Sequence, residues 1–228
     1  MEREIKTTND GSKTLFIKDL NEGYHSGHGA LQEAKHVFID NGLKLIDNSN
    51  INILELGFGT GLNVLVTIDE FLKTDKYHRI HYYSVEKYPV TSEEIASLEY
   101  AKLFKETGME EIFTRMHAAA WNEAIELIPG FFLTKVLGDF NSLSSYSIPQ
   151  VDLVYFDCFG ARVQPDLWEL PLLEQVESKM SPNALFTTYA SKGSLRRNLE
   201  SLGLSVTKRP GPPGKREMIT AEKSETIN

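Results

Sequence analysis

The chain has 228 residues, 41% of them apolar and 25% charged, which is enough for one sizeable core. No run of eighteen apolar residues occurs, the opening Met1-Glu2-Arg3-Glu4-Ile5-Lys6 lacks the apolar stretch of a secretory leader, and a single cysteine, Cys158, excludes an intrachain disulfide framework; a cytosolic protein without a membrane span is expected. With 24 Lys+Arg against 32 Asp+Glu the net charge is −8, a sign that disfavours unspecific attraction to nucleic acid or anionic lipid.

Residues 7–29 are polar and aromatic without periodicity, contain the turn signal Asp10-Gly11, and predict a loop or short hairpin. Leu31, Ala34, Val37 and Phe38 recur at helical spacing, predicting a helix from Ala30 to Asp40 that stops at Asn41-Gly42. Ile51 to Leu56 reads as a strand, Glu55 to Gly61 as a glycine turn, and Leu62 to Leu72 as a helix. Ile80 to Glu86 is a second strand, and Thr91-Ser92-Glu93-Glu94 has the hydroxyls and carboxylates of a helix start. A helix is predicted over Trp121 to Ile128, then strands over Leu133 to Leu137, Val151 to Phe156 and Ala184 to Tyr189. Helices from about Asp166 to Met180 and from Ser194 to Leu202 flank the last of these strands. Leu204 to Lys208 and Glu217 to Ala221, around Pro210-Gly211-Pro212-Pro213-Gly214, form a closing antiparallel hairpin. Alternating strands and helices predict an α/β fold, a mostly parallel sheet covered on both faces, with ligands beyond the carboxyl ends of the strands.

Glu55-Leu56-Gly57-Phe58-Gly59-Thr60-Gly61 sits at such an end, where glycines allow positive φ and close approach of a ligand. A dinucleotide fingerprint wants a third glycine where Leu62 stands, and the Gly-Lys-Ser/Thr of a phosphate loop is absent. The bland reading is a tight turn alone. Glu86, Asp139 and Asp157 end three successive strands and point toward one crevice: Glu86 suits a ribose diol and Asp139 an adenine amine. Three carboxylates beside the turn favour a cationic, adenosine-containing ligand over an anionic nicotinamide dinucleotide. The Glu-x-Gly-x-Gly-x-Gly spacing resembles motif I of class I S-adenosylmethionine-dependent methyltransferases, which implies a Rossmann-like fold and that cofactor.

Further stretches make the resemblance narrower. Tyr24-His25-Ser26-Gly27-His28-Gly29-Ala30-Leu31-Gln32-Glu33 with His36-Val37-Phe38, the turn continued through Leu62-Asn63, Ser84-Val85-Glu86-Lys87, Asp157-Cys158-Phe159 through Pro165-Asp166-Leu167-Trp168, and Gly214-Lys215-Arg216-Glu217-Met218 are similar to the methyltransferase half of the tRNA 5-methylaminomethyl-2-thiouridine biosynthesis protein (MnmC). The resemblance runs from about Asp10 to Met218. It implies a tRNA methyltransferase that acts on the aminomethyl nitrogen of 5-aminomethyl(-2-thio)uridine at the wobble position, here standing alone. A flavin-dependent half has no room, so separate enzymes would supply the aminomethyl precursor.

The resemblance also implies one domain over residues 1–228, with residues 1–45 as an extension packed over the cofactor site. Tyr24, Ser26, Glu55, Gly57, Phe58, Gly59, Thr60, Gly61, Asn63, Glu86, Lys87 and Asp139 would hold the cofactor, and Asp157 would be catalytic. His25, Phe159, Arg162, Lys192, Arg196, Arg197, Lys215 and Arg216 would meet the tRNA anticodon stem-loop. The chain departs from the family after the fourth strand, with Cys158, Gly160 and Ala161 where glycine, alanine and proline are common, and Val163 at a family lysine position.

Residues 190–216 carry seven basic residues against Glu200 alone, net +6. They read as a tRNA-backbone patch or as a solvated helix face and charged hairpin. No metal is expected, since neither an HExxH pattern nor a Cys/His cluster accompanies His25, His28 and His36. Trp168 suits the core ahead of base stacking, and Phe159 suits either packing or stacking on a flipped-out uracil. Methyl transfer needs a neutral amine, whose pKa near ~10 exceeds that of an ordinary carboxylate near ~4. Asp157 is therefore expected to orient the amine and stabilise residual positive charge while solvent takes the proton. A small-molecule methyltransferase and a non-catalytic cofactor-binding module remain as rival readings.

Overall fold

A computed structural model describes residues 2–225. The first segment, expected as a loop or hairpin, is a three-stranded antiparallel sheet of β1 (Arg3–Thr7), β2 (Lys13–Ile17) and β3 (Glu22–Gly23). The β1–β2 turn is tied by Asp10, whose Oδ1 accepts from the Ser12 amide at 3.0 Å, and Gly11 takes φ +82°. Helix α1 (Ala30–Ala34) runs into a π-helical turn over Lys35–Asp40, so the predicted helix is present with a widened second half.

Strand β4 (Asn50–Leu56), helix α2 (Leu62–Leu72), strand β5 (Arg79–Glu86) and helix α3 (Ser92–Leu98) follow as the periodicity predicts. Thr91 caps α3 by a reciprocal pair: its Oγ1 accepts from the Glu94 amide at 3.2 Å, and Glu94 Oε2 accepts from the Thr91 amide at 2.7 Å. Arg3 joins Glu94 at 3.0 Å and so anchors β1 on this helix start. Thr91→Ala should cost about 1 kcal/mol, read as a melting temperature lowered by about 2–4 °C in thermal denaturation.

Two assignments need correction. Helix α4 (Met109–Ala118) is not among the predicted elements, although Met109, Ile112, Phe113 and Met116 are all buried at helical spacing. The helix expected over Trp121 to Ile128 is instead strand β6 (Ala124–Ile128), antiparallel to β7 (Phe131–Leu137). Pro129-Gly130, with Gly130 at φ +85°, turns the chain back, and the edge of β7 supplies hydrogen bonds that eight isolated residues could not form alone. Strand β8 (Val151–Phe156), helix α5 (Leu170–Lys179) after a 3-10 turn at Pro165–Trp168, strand β9 (Met180–Thr188), helix α6 (Gly193–Ser201) and the hairpin β10 (Leu204–Pro210)–β11 (Glu217–Lys223) complete the chain.

The main sheet has the order β10-β11-β9-β8-β4-β5-β7-β6, parallel in its five central strands and antiparallel at both ends. Alternation along each strand feeds two cores. Ile51 and Ile53 of β4 pack with Val64, Leu65 and Ile68 of α2 on one face. Leu54 and Leu56 pack on the other in the cluster that holds Leu172, Val176, Leu195 and Leu199 of α5 and α6. Register then sets the site. Leu56 lies opposite both Val85 and Phe156, so Gly57, Glu86 and Asp157 emerge side by side at the carboxyl edge. Among the described residues no helix is long and apolar enough to cross a membrane.

Candidate active site

A cavity of about 430 Å³ opens at this edge, within the range of small-molecule sites. The glycine turn forms its floor. Gly57 takes φ +103°, and a Cβ there would lie 3.0 Å from the Asp157 carbonyl oxygen; a Cβ on Gly59 would lie 3.1 Å from the Tyr24 ring. The Gly59 amide donates to Glu86 Oε2 at 3.0 Å and the Tyr88 amide to Glu86 Oε1 at 2.7 Å, so the carboxylate that ends β5 locks the turn and the following loop together. Phe58 packs edge-on to His117 and Trp121, with the buried Lys135 ammonium 5.5 Å from its ring centre.

The walls come from several remote parts of the chain. Tyr24, His25 and Ser26 approach from the N-terminal sheet; Tyr24 meets Phe159 edge-to-face at 5.1 Å, and Thr14 Oγ1 lies 3.1 Å from His25 Nδ1. Burial lowers the His25 imidazole to about 4, which keeps it neutral. Lys87 and Asp139 pair at 2.6 Å on the rim, and that ammonium holds the Asp139 carboxyl below its usual range. Glu33, which the sequence motif contains without a role assigned to it, also lines the cavity. It accepts from Lys215 Nζ at 2.7 Å and from the Ser26 amide at 2.8 Å, while Lys215 sits 3.7 Å over the Tyr189 ring centre. The place of Glu33 within the Tyr24–Glu33 motif is the one sequence signal for it, and the packing of the 214–217 turn against α1 reveals its role.

Asp157 stands at the wall of the cavity, with Oδ2 accepting from Asn63 Nδ2 at 2.8 Å. Burial pushes its carboxyl up to about 7, with Glu33 adding to the rise and Asn63 and Lys215 opposing it. The expectation of an ordinary, weakly basic carboxylate is therefore corrected: at this value it can accept a proton near neutral pH.

Of the residues singled out in the sequence, Tyr24, His25, Ser26, Gly57, Phe58, Gly59, Thr60, Asn63, Glu86, Lys87, Asp139, Asp157, Phe159 and Lys215 line this one cavity. Glu55 and Gly61 lie behind its wall. Glu55 is fully buried and accepts from Ser84 Oγ at 2.5 Å, and a Cβ on Gly61 would fall 2.4 Å from Met116 Cε, a close helix contact. Arg162 lies outside the lining and pairs with Glu22 of it. Lys192, Arg196 and Arg197 are exposed on and before α6, with Arg196 3.4 Å from Glu200, and Arg216 is exposed in the closing turn. Lys215 is thus parted from the basic stretch in which it was counted. Trp168 is core, 2% exposed, and donates from Nε1 to the Phe159 carbonyl at 2.8 Å. His36 Nε2 lies 2.8 Å from the Pro210 carbonyl oxygen.

The lining therefore carries Glu22, Glu33, Glu86, Asp139 and Asp157; Glu22, Glu33 and Asp139 are paired with Arg162, Lys215 and Lys87, which leaves Glu86 and Asp157 without a cationic partner among the described residues. Such a surface suits a ligand with positive charge, and Thr60 Oγ1 and Asn63 Oδ1 are buried polar atoms without a partner among the described residues. A model of S-adenosyl-L-methionine-dependent methyltransferases matches residues 99–224, more than half of the chain. The chain belongs to this methyltransferase family. Its cofactor, S-adenosylmethionine, fits the site in volume, in charge and in the backbone cradle at Gly57 and Gly59.

This methyltransferase is 34% identical over 218 residues to the tRNA 5-methylaminomethyl-2-thiouridine biosynthesis bifunctional protein MnmC of Leptospira borgpetersenii, covering 88% of the chain and 32% of the relative. It is 31% identical to the protein of that name from Burkholderia multivorans, covering 92% and 33%. The chain thus spans about a third of the length of these curated relatives. The crystal structure of MNMC2 from Aquifex aeolicus superposes with a TM-score of 0.78 at 26% identity, over 96% of this chain and 69% of that one.

Proposed function

We propose that this methyltransferase modifies tRNA, transferring a methyl group to the aminomethyl nitrogen of 5-aminomethyl(-2-thio)uridine at the wobble position. The observation that carries the reading is Asp157, held by Asn63 beside the glycine turn in an acidic cavity. The similarity to MnmC proteins over about nine-tenths of the chain supports the choice of substrate.

In this reading residues 1–45 pack over the cofactor and Tyr24 and Ser26 cover it. Gly57, Phe58, Gly59, Thr60 and Asn63 cradle its methionine part, Glu86 receives the ribose, and Asp139 with Lys87 borders the adenine. When bound, S-adenosylmethionine supplies an electrophilic methyl on a positively charged sulfur. Asp157 would orient the acceptor amine, take the proton that it must lose before its lone pair can attack and pass that proton on to solvent. The carboxylate is then again an anion that stabilises the positive charge the nitrogen gains with the methyl group. Phe159 and His25 border the uracil, with Phe159 offering a ring for stacking. In this reading the tRNA substrate puts the work in the cytosol.

Incubation with labelled cofactor and tRNA from a strain lacking the enzyme, followed by nucleoside mass analysis, should show wobble aminomethyluridine gaining the mass of one CH₂. Loss of that gain with intact cofactor binding would favour a small-molecule amine as acceptor, the reading to which the net charge of −8 is better suited. The two are separated by Arg196→Glu with Arg197→Glu. If Lys192, Arg196, Arg197 and Arg216 contact the anticodon-stem backbone, tRNA affinity should fall at least about tenfold and its salt dependence should flatten by about two phosphate contacts. Unchanged affinity and salt slope would remove the role of these arginines.

A further inference from the structure

Glu55 opens the glycine motif, is completely buried, and has no part in the methyl-transfer step. Its Oε2 is bonded to Ser84 Oγ, while Oε1 has no partner among the described residues. The groups that bear on it are Ser84 and Tyr82 from β5, Asn63 from α2, Tyr155 from β8 and Asp157 just beyond β8; none of them is a cation. Asn63 faces Glu55 and also donates to Asp157, so one amide stands between two carboxyl groups. Two anions on either side of a single buried amide, with no positive charge among them, would repel in a medium that screens poorly.

We propose that Glu55 is held as the neutral carboxylic acid and is a positioning residue, so that the cluster carries one negative charge and Asp157 is where it resides. This rests on the role given above to Asp157. The unpartnered Oε1 is the atom free to hold the proton, and Asn63 Oδ1, a buried oxygen that only accepts and has no partner among the described residues, belongs to the same cluster and can receive it, while the Tyr82 hydroxyl can donate to Glu55 in either state. An anionic Glu55 would supply no donor to Asn63 Oδ1. Exposure decides which acid ionises: Asp157 lines the cavity, whereas Glu55 is sealed between the sheet and α2. Burial lifts Glu55 to about 8 and Asp157 to about 7, the same order. A fixed, proton-bearing Glu55 would steady the Asn63 amide and through it the carboxylate that meets the amine.

Infrared difference spectra in heavy water near pH 7 test this without any turnover. Wild type minus Glu55→Gln should show the C=O stretch of a protonated carboxyl, and the band should persist in Asp157→Asn; its absence from wild type would overturn the proposal. Kinetics give a second arm. Glutamine keeps the shape and a donor, so Glu55→Gln should hold kcat within about threefold and leave the acid limb of the pH profile in place. Glu55→Leu should lower kcat at least about tenfold with little change in the cofactor KM. A limb that moves down by about one pH unit or more in Glu55→Gln would mean that an anion had been removed, and would overturn the proposal. Should no methyl acceptor be found, the substrate reading fails while the infrared result still decides the state of Glu55.

Discussion

Asp157→Asn should lower kcat at least about a hundredfold while leaving the affinity for S-adenosylhomocysteine within about threefold of wild type. Asparagine keeps the shape and can still face Asn63, but it neither accepts the amine proton nor offsets charge on the nitrogen. The wild-type kcat/KM profile should rise through an acid limb near the Asp157 value of about 7, as the carboxyl loses its proton. The variant should lack this limb. With cofactor bound, the nearby positive sulfur favours the anion, so the corresponding limb in kcat should lie lower. Wild-type turnover with unchanged cofactor affinity would remove Asp157 from the chemistry.

The same variant should be the more stable protein in alkaline solution. The Asp157 carboxyl has a folded value of about 7 against an ordinary value of 3.8, so folding favours its protonated form. Below 3.8 the group costs the fold nothing; the cost grows as pH rises toward 7 and is complete above it. Asp157→Asn removes that cost, and its melting temperature should exceed wild type by about 4–8 °C at alkaline pH and by almost nothing in acid. A gain of equal size at both extremes would point to packing and not to ionisation.

Gly57→Ala should weaken cofactor binding at least about tenfold and lower the melting temperature by several degrees, read by calorimetry and thermal denaturation. At φ +103° a side chain is strained by about 1–3 kcal/mol, and the new Cβ would press on the Asp157 carbonyl at 3.0 Å, an atom of fixed backbone. Relief requires the glycine turn and the end of β8 to move apart. That motion separates the floor of the cofactor cradle from the carboxylate that serves the acceptor, so kcat should fall together with affinity. An alanine variant with wild-type binding would show that the cradle tolerates a wider turn.

Much of this arrangement is legible before any coordinates because it is written in local chemistry. Strands β4, β5 and β8 end at Leu56, Glu86 and Phe156, where apolar runs meet the acids Glu55, Glu86 and Asp157, and Gly57, Gly59 and Gly61 announce positive φ. The helix expected over Trp121 to Ile128 failed for the opposite reason. Residues 124–128 take their conformation from the open edge of β7, a partner that follows them only after the turn at Gly130. In the same way Lys215 read as one of a row of basic residues, and became part of the cavity wall only because the closing turn folds back onto Glu33, 182 positions earlier.

The order of elements, the glycine turn and the identity of the strand-end carboxylates follow from residues 50–86 and 151–157 themselves, since each depends on neighbours a few positions away. Which carboxyl ionises, which lysine is free and which aromatic ring faces the ligand depend on burial and on charges brought together from distant parts of the chain. Desolvation and Coulomb terms act through space and not along the chain, and so Asp157 and Glu55, alike as acids in the sequence, acquire different work only in the folded molecule.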